Sequence, residues 1–238
     1  MTVRHLQKNT VLFLGEDVRH LPKQLGRKEI TVKAVRKYIR KKSMTISLEK
    51  RFIDNGLTDL LDGVYVRSVE LFSENSSASE ALHTHLQQIL PCIAFYEALI
   101  TKTGSREEAL RLYDEWAFDF IKKLAVTIRK IMNTGLYKKM PSIFDKMIDK
   151  MFGSDAGFKS RRVEGSKPFA RDMLVCPYYE TCKKYGCPEL TQFFCKSDDI
   201  AYGNMHPKLV WGRTQTLGAG GECCDFRLHL KEDDENES

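Results

Sequence analysis

Hydrophobic positions recur at helical spacing through the first two thirds of the chain, and that rhythm stops near residue 152. From about Thr31 to Lys42 the residues Val32, Val35 and Ile39 predict one apolar stripe on a lysine-rich helix. A second helix is predicted from Ser47 to Leu61, ending near Gly63, and the run VYVRSVELF fits strand or helix equally. Ser76 or Ser79 caps the next helix, with Glu80 at its positive end. That helix carries Pro91 in its interior, which predicts a kink or break, and Gly104 stops it. The longest predicted helix opens at Ser105 and runs to about Asn133, with Leu112, Trp116, Phe120, Leu124, Ile128 and Ile131 on one face. A shorter one spans Ser142 to Phe152 after Pro141.

Beyond it the pattern changes. GSDAGFKSRRVEGSKPFARDM reads as a loop, in which Arg161 and Arg162 either reach an anionic ligand or stay solvated. Pro188 suits the first residue of a short helix, and Cys195 on it shares a face with Asp198 and Asp199. The GAGG of TLGAGGECC reads as a hairpin turn, because it lacks the strand-before, helix-after setting of a dinucleotide fingerprint. After it, alternation puts Cys224, Phe226, Leu228 and Leu230 inward and Cys223, Asp225, Arg227 and His229 outward. The fold class expected is α+β: a helical N-terminal half packed against a C-terminal cysteine-rich loop, helix and small antiparallel sheet. Residues 1–75 form a basic helical extension, 76–230 the α+β domain, and 231–238 an acidic disordered tail.

Composition narrows the chemistry. The chain has 238 residues and a formal charge of +6, concentrated in its first forty-odd residues. That basic run lacks Gly-aromatic interleaving, so it reads as a solvated helix face and a nucleic-acid partner is not expected. No apolar run reaches the roughly 18–20 residues that span a bilayer. The patch Val11 to Leu14 is too short for a signal peptide, so a cytoplasmic setting and no membrane partner are expected. Seven cysteines in a reducing compartment are then buried thiols, metal ligands or reactive groups rather than a disulfide framework.

Six of the seven lie between residues 176 and 224. The intervals from Cys176 through Cys182 and Cys187 to Cys195 hold five, four and seven residues. They do not supply the two-to-four-residue knuckle twice over, as a strong zinc signature requires, so no metal ligands are assigned, with a divalent ion such as zinc kept as the alternative. Asp198 or Asp199 can activate water, or Cys195 can act directly. The neighbouring carboxylates raise a thiol's pKa, so a nucleophilic Cys195 needs a cation such as Arg213 or His206. Arg213 fits two roles equally: gripping a ligand carboxylate, or pairing with Asp225 on the next strand. His83 and His85 face different directions on their helix and do not form a ligand pair. His5, His20 and His229 carry no usable signal.

The combination ILPCIAFYEAL, CPYYETCKKYGCPELTQFFCKSDDIAYG and RTQTLGAGGECCDFRL resembles the L-2-amino-thiazoline-4-carboxylic acid hydrolase family over roughly residues 80–230. The last fifty residues are more weakly similar to four-vinyl-reductase-type sensor domains. The first resemblance implies a hydrolase that opens a small cyclic amidine, thioether or amide by adding water at the ring carbon. On a 2-amino-thiazoline-4-carboxylate the product would be an N-carbamoyl cysteine. It implies Asp198 or Asp199 as base and Cys195 and Cys224 as participants. Arg213 would hold the substrate carboxylate, with Thr216 and Tyr178 as hydrogen-bond donors. Arg161 joins them as a candidate for substrate binding. No cofactor is implied, and the partner is a small molecule. The alternative is a non-catalytic small-molecule sensor using the same pocket.

Overall fold

The computed structural model describes residues 30–40, 43–164 and 169–231. The Val11 to Leu14 patch, the Pro22 and Gly26 break, His5, His20 and the acidic tail lie outside the described residues. The helices are α1 (Val32–Ile39), α2 (Ser43–Asp54), α3 (Thr58–Glu74), α4 (Glu80–Thr103), α5 (Arg106–Met132) and α6 (Met140–Met151). Two more, α7 (Pro177–Lys184) and α8 (Thr191–Tyr202), follow the first strands. The strands are β1 (Lys159–Arg162), β2 (Phe169–Val175), β3 (Leu209–Gly212) and β4 (Cys224–Leu230). They form one antiparallel sheet in the order β1-β2-β4-β3, so the architecture is α+β.

Local chemistry explains the boundaries. The hydroxyls of Thr31, Ser79 and Ser105 accept hydrogen bonds from the N–H groups of Ala34, Leu82 and Glu108, capping α1, α4 and α5. Gly104 adopts φ +68°, the left-handed conformation that closes a helix without a Cβ clash. The predicted stop near Gly63 is displaced: Gly63 lies inside α3, and α2 ends instead at Gly56, where φ is +69°. There Leu57 N–H bonds the Phe52 carbonyl, which turns the chain before α3 starts. VYVRSVELF is therefore helix. On α1 the buried stripe is Val35, Tyr38 and Ile39, and Val32 is exposed.

Pro91 does not break α4, which runs unbroken for 24 residues. Proline cannot bond the carbonyl four residues earlier, and here that carbonyl, Gln87, accepts the Tyr38 hydroxyl from α1 at 2.8 Å. The orphan acceptor is satisfied from a neighbouring helix. Pro91 is itself buried, so the position is part of the interior.

Two apolar interiors share α5 and α8. The first joins α1 through α5 with Cys182, Cys187 and the Phe193 side of α8, and Phe52 meets Phe95 and Trp116 edge-on within it. The second packs Ile121, Ile128 and Met132 of α5, with Phe144 and Ile148 of α6, against the sheet and Tyr202. The predicted loop after α6 is in part strand: β1 and the start of β2 lie in it. Register explains their faces. Phe169, Arg171 and Met173 pair with Leu228, Phe226 and Cys224 on the inner face, and Asp172 pairs with Asp225 on the outer. Buried Arg171 is held by Asp145 and Asp149 of α6. Cys224 points inward as alternation predicts. Cys223, predicted outward, is nevertheless buried beside Arg161, Arg227 and Asp172.

Candidate functional site

Pro188 opens a single 3-10 turn, Pro188–Leu190, that runs straight into α8. Helical spacing then puts Cys195, Asp198 and Asp199 on the surface that meets the β3–β4 connection. That connection carries Arg213, and its guanidinium closes the gap. Nη2 donates to the Asp199 carboxylate and to the Cys195 carbonyl, both at 2.7 Å, and Nη1 lies 3.5 Å from Asp198. Trp211 adds a hydrogen bond from its indole to Asp199 at 3.0 Å. The short helix and the last two strands therefore face one another, joined by charge.

The rest of the connection fits against α8 and β4. Thr216 caps a 3-10 turn, Leu217–Ala219, by accepting from Ala219 N–H, and reaches the Cys195 sulfur. Leu217 N–H points at the Cys224 sulfur, 3.3 Å away. GAGG thus lies within a tight turn of a longer loop that does join paired strands. Gly218 is required by close approach: a Cβ there would stand 2.9 Å from Thr191 Cγ2 and 3.4 Å from Cys195 Sγ.

Asp198 is the group whose environment matters most. Its side chain is 40% exposed, yet burial pushes its carboxyl up to about 7. Arg213 opposes that rise and Asp199 adds to it. The two facts agree if the carboxyl lines a recess, touching open space while walled by protein. Tyr178 and Tyr202 are among the groups that sense its charge, and burial raises both phenols.

The thiols nearby are all held protonated at neutral pH. Burial raises Cys195, and the Asp198 charge raises it further. Cys224 is pushed up to about 11 and Cys176 to about 12, each mainly by burial. The three sulfurs sense one another across the site. Cys92, Cys182 and Cys187 lie apart from this group, in the helical interior. Among the described residues no three of His, Cys, Asp or Glu are placed to share a metal ion.

The structure thus brings together Cys195, Asp198, Asp199, Arg213, Thr216 and Cys224, with Tyr178 beside them. Arg161 is held elsewhere, on the outer sheet face, where it and Arg227 pair with Asp172 at 3.0 and 2.8 Å. Arg162 is engaged by Asp145 and Asp149. The Arg213–Asp225 pair does not form, because Asp225 caps the loop by accepting from Thr214 and Gln215 N–H. His206 does not approach Cys195: it stacks on Tyr137 with centroids 3.8 Å apart.

One neighbour escaped the sequence reading. On α4 the His85 Nδ1 lies 3.3 Å from the Tyr178 hydroxyl. Spacing along α4 carries no sign of a contact made 93 positions away.

A family model described as L-2-amino-thiazoline-4-carboxylic acid hydrolase matches residues 85–228. Comparison with curated proteins and with solved structures gave no match.

Proposed function

Because the chain belongs to the L-2-amino-thiazoline-4-carboxylic acid hydrolase family, we propose that it opens a small cyclic amidine at the recess lined by Asp198. The observation that carries this reading is Asp198 itself: a partly open carboxyl 3.5 Å from the Arg213 guanidinium, with burial raising its pKa. A general base works best when its pKa lies near the working pH, and an ordinary aspartate near 4 does not.

The proposed sequence begins with an amidinium ring in the recess. Asp198 takes a proton from water, and the oxygen bonds to the ring carbon between nitrogen and sulfur. The adduct collapses as its hydroxyl proton leaves to solvent and the carbon–sulfur bond breaks. The sulfur keeps the electron pair and takes the proton that Asp198 holds. One water is consumed per ring, and a 2-amino-thiazoline-4-carboxylate gives an N-carbamoyl cysteine. A leaving thiolate of pKa near 8.5 needs little acid assistance.

Arg213 acts here as a positioning residue. Its side chain is only 3% exposed and its hydrogen bonds go to Asp199 and the Cys195 carbonyl. It lowers the cost of a carboxylate pair and aims Asp198 into the recess. Cys195 and Cys224, as protonated thiols, shape the wall beside the departing sulfur rather than attack the ring. The membrane plays no part in this scheme, and among the described residues no helix is long and apolar enough to cross one.

The test is ring opening by the purified chain, followed as free thiol released from 2-amino-thiazoline-4-carboxylate and as the mass of the product. Thiol release that Asp198→Asn abolishes supports the reading. Ligand-dependent thermal stabilisation without any product contradicts it and favours the sensor alternative.

A further inference from the structure

His85 of α4 is buried between the rings of Phe158 and Phe152, whose centroids lie 4.8 and 5.2 Å from its own. It has two hydrogen-bond partners, both uncharged: the Met151 carbonyl at 2.9 Å from Nε2, and the Tyr178 hydroxyl at 3.3 Å from Nδ1. A carbonyl oxygen can only accept, so Nε2 carries the hydrogen. In a neutral imidazole Nδ1 then offers only a lone pair. Burial favours that neutral ring. The Tyr178 hydroxyl must therefore donate to His85, and its proton is committed to that buried ring.

That leaves the Tyr178 oxygen with lone pairs only. Its ring packs with Leu217 against the cluster that holds Cys224 and lies 4.9 Å from the ring of Phe194, the neighbour of Cys195, which places it at the same site. Contrary to the role of donor expected from the sequence, it can only accept there. An exocyclic amino group offers two N–H hydrogens, and ionised Asp198 and Tyr178 offer one acceptor each. A ring bearing oxygen at that carbon would set lone pair against lone pair and leave a buried acceptor unpaired.

Resting on the hydrolase reading, we propose that Tyr178, oriented by His85, selects a 2-amino ring over a 2-oxo ring by accepting a hydrogen bond from the exocyclic N–H. Tyr178 touches the ligand, and His85 is a positioning residue.

The probes are 2-aminothiazole-4-carboxylate and its 2-oxo counterpart, the former aromatic and resistant to water addition, with affinities measured by calorimetry. The wild-type chain should favour the amino ring by about tenfold or more. Tyr178→Phe should bring that ratio towards unity by weakening the amino ring alone. His85→Phe frees the Tyr178 proton to turn into the recess, and should shift the ratio towards the oxo ring. The nitrogen NMR shifts of His85 should report the Nε2–H tautomer in the folded wild-type protein. Equal wild-type affinities, an equal loss of both rings in Tyr178→Phe, or an Nδ1–H tautomer each overturns the inference. Failure of the thiazoline to be opened is the separate result that overturns the hydrolase reading.

Discussion

Arg213 and Asp199 are joined by a charge-assisted hydrogen bond of 2.7 Å that crosses from the β3–β4 connection to α8. The same guanidinium nitrogen also bonds the Cys195 carbonyl, so one side chain fixes the loop to the helix at two points. The consequence is electrostatic. Two adjacent carboxylates are tolerated because a cation sits between them, and Asp198, the deeper set, keeps its proton far above the usual carboxylate range.

Asp198→Asn should reduce ring opening by about 10²–10⁴-fold, the usual contribution of a positioned base. The same variant should gain stability in alkaline buffer. A carboxyl whose folded pKa lies above its unfolded value binds protons more tightly when folded, so stability falls as pH rises from about 4 to about 7. Asparagine removes that dependence. Thermal melts of the two proteins should nearly coincide at pH 4 and separate at pH 8, with Asp198→Asn the higher. A variant no more stable at pH 8 contradicts the raised pKa assigned to Asp198.

Arg213→Met removes the cation that opposes the rise at Asp198. The acid side of the rate profile should then move to higher pH, by about one unit or more, since an opposite charge at such range shifts a carboxyl by that much. A lower rate with an unmoved acid side would mean that Arg213 serves the ligand instead.

Gly218→Ala would press a methyl group against Thr191, at 2.9 Å from Cγ2 and 3.1 Å from Cβ. Overpacking of this kind costs about 1–3 kcal/mol. It would also lift the loop that carries Thr216 and Leu217 from Cys195 and Cys224. Adding Thr191→Ser, which deletes Cγ2, should restore part of both stability and activity. Two losses that simply add would show that the contact does not matter.

Much of the fold was legible because it is local. Caps at Ser79 and Ser105 and the stop at Gly104 follow from neighbours within one or two turns. The α5 stripe was only partly legible: Trp116, Ile128 and Ile131 are buried, but Leu112, Phe120 and Leu124 are partly exposed, and Tyr113, Ala117 and Ile121 take the inner face. The alternation through Cys224, Phe226 and Leu228 likewise fixed the inner face of β4. Gly63 misled because a glycine inside a helix costs only about 1 kcal/mol, which the packing of Leu61, Val64 and Tyr65 outweighs. Strands β1 and β2 were hidden by their charge: Arg161, Arg162, Arg171 and Asp172 look like a solvated loop until each finds its partner across the sheet or on α6. At the site, the shared face of Cys195, Asp198 and Asp199 was readable from helical spacing. Arg213 bonding to that face, and Tyr178 to His85, depend on tertiary distances that no spacing encodes.

Tyr38→Phe removes the donor that satisfies the carbonyl freed by Pro91. Leaving a buried acceptor unpaired costs about 1–3 kcal/mol. Pro91→Ala supplies an N–H for that carbonyl, so the loss caused by Tyr38→Phe should shrink in its presence. A double-mutant cycle by denaturant unfolding measures the coupling, and additivity would show that the Tyr38 hydroxyl does not serve the Gln87 carbonyl.

If Asp198 does the work of a base, its carboxyl titrates near neutrality. Carbon NMR titration of the aspartate carboxyls, run on the wild-type chain and on Asp198→Asn, reads it without any substrate. One resonance, missing from the variant, should show a midpoint near 7 that matches the acid limb of kcat/KM for ring opening. An Asp198 resonance with its midpoint near 4 would contradict it.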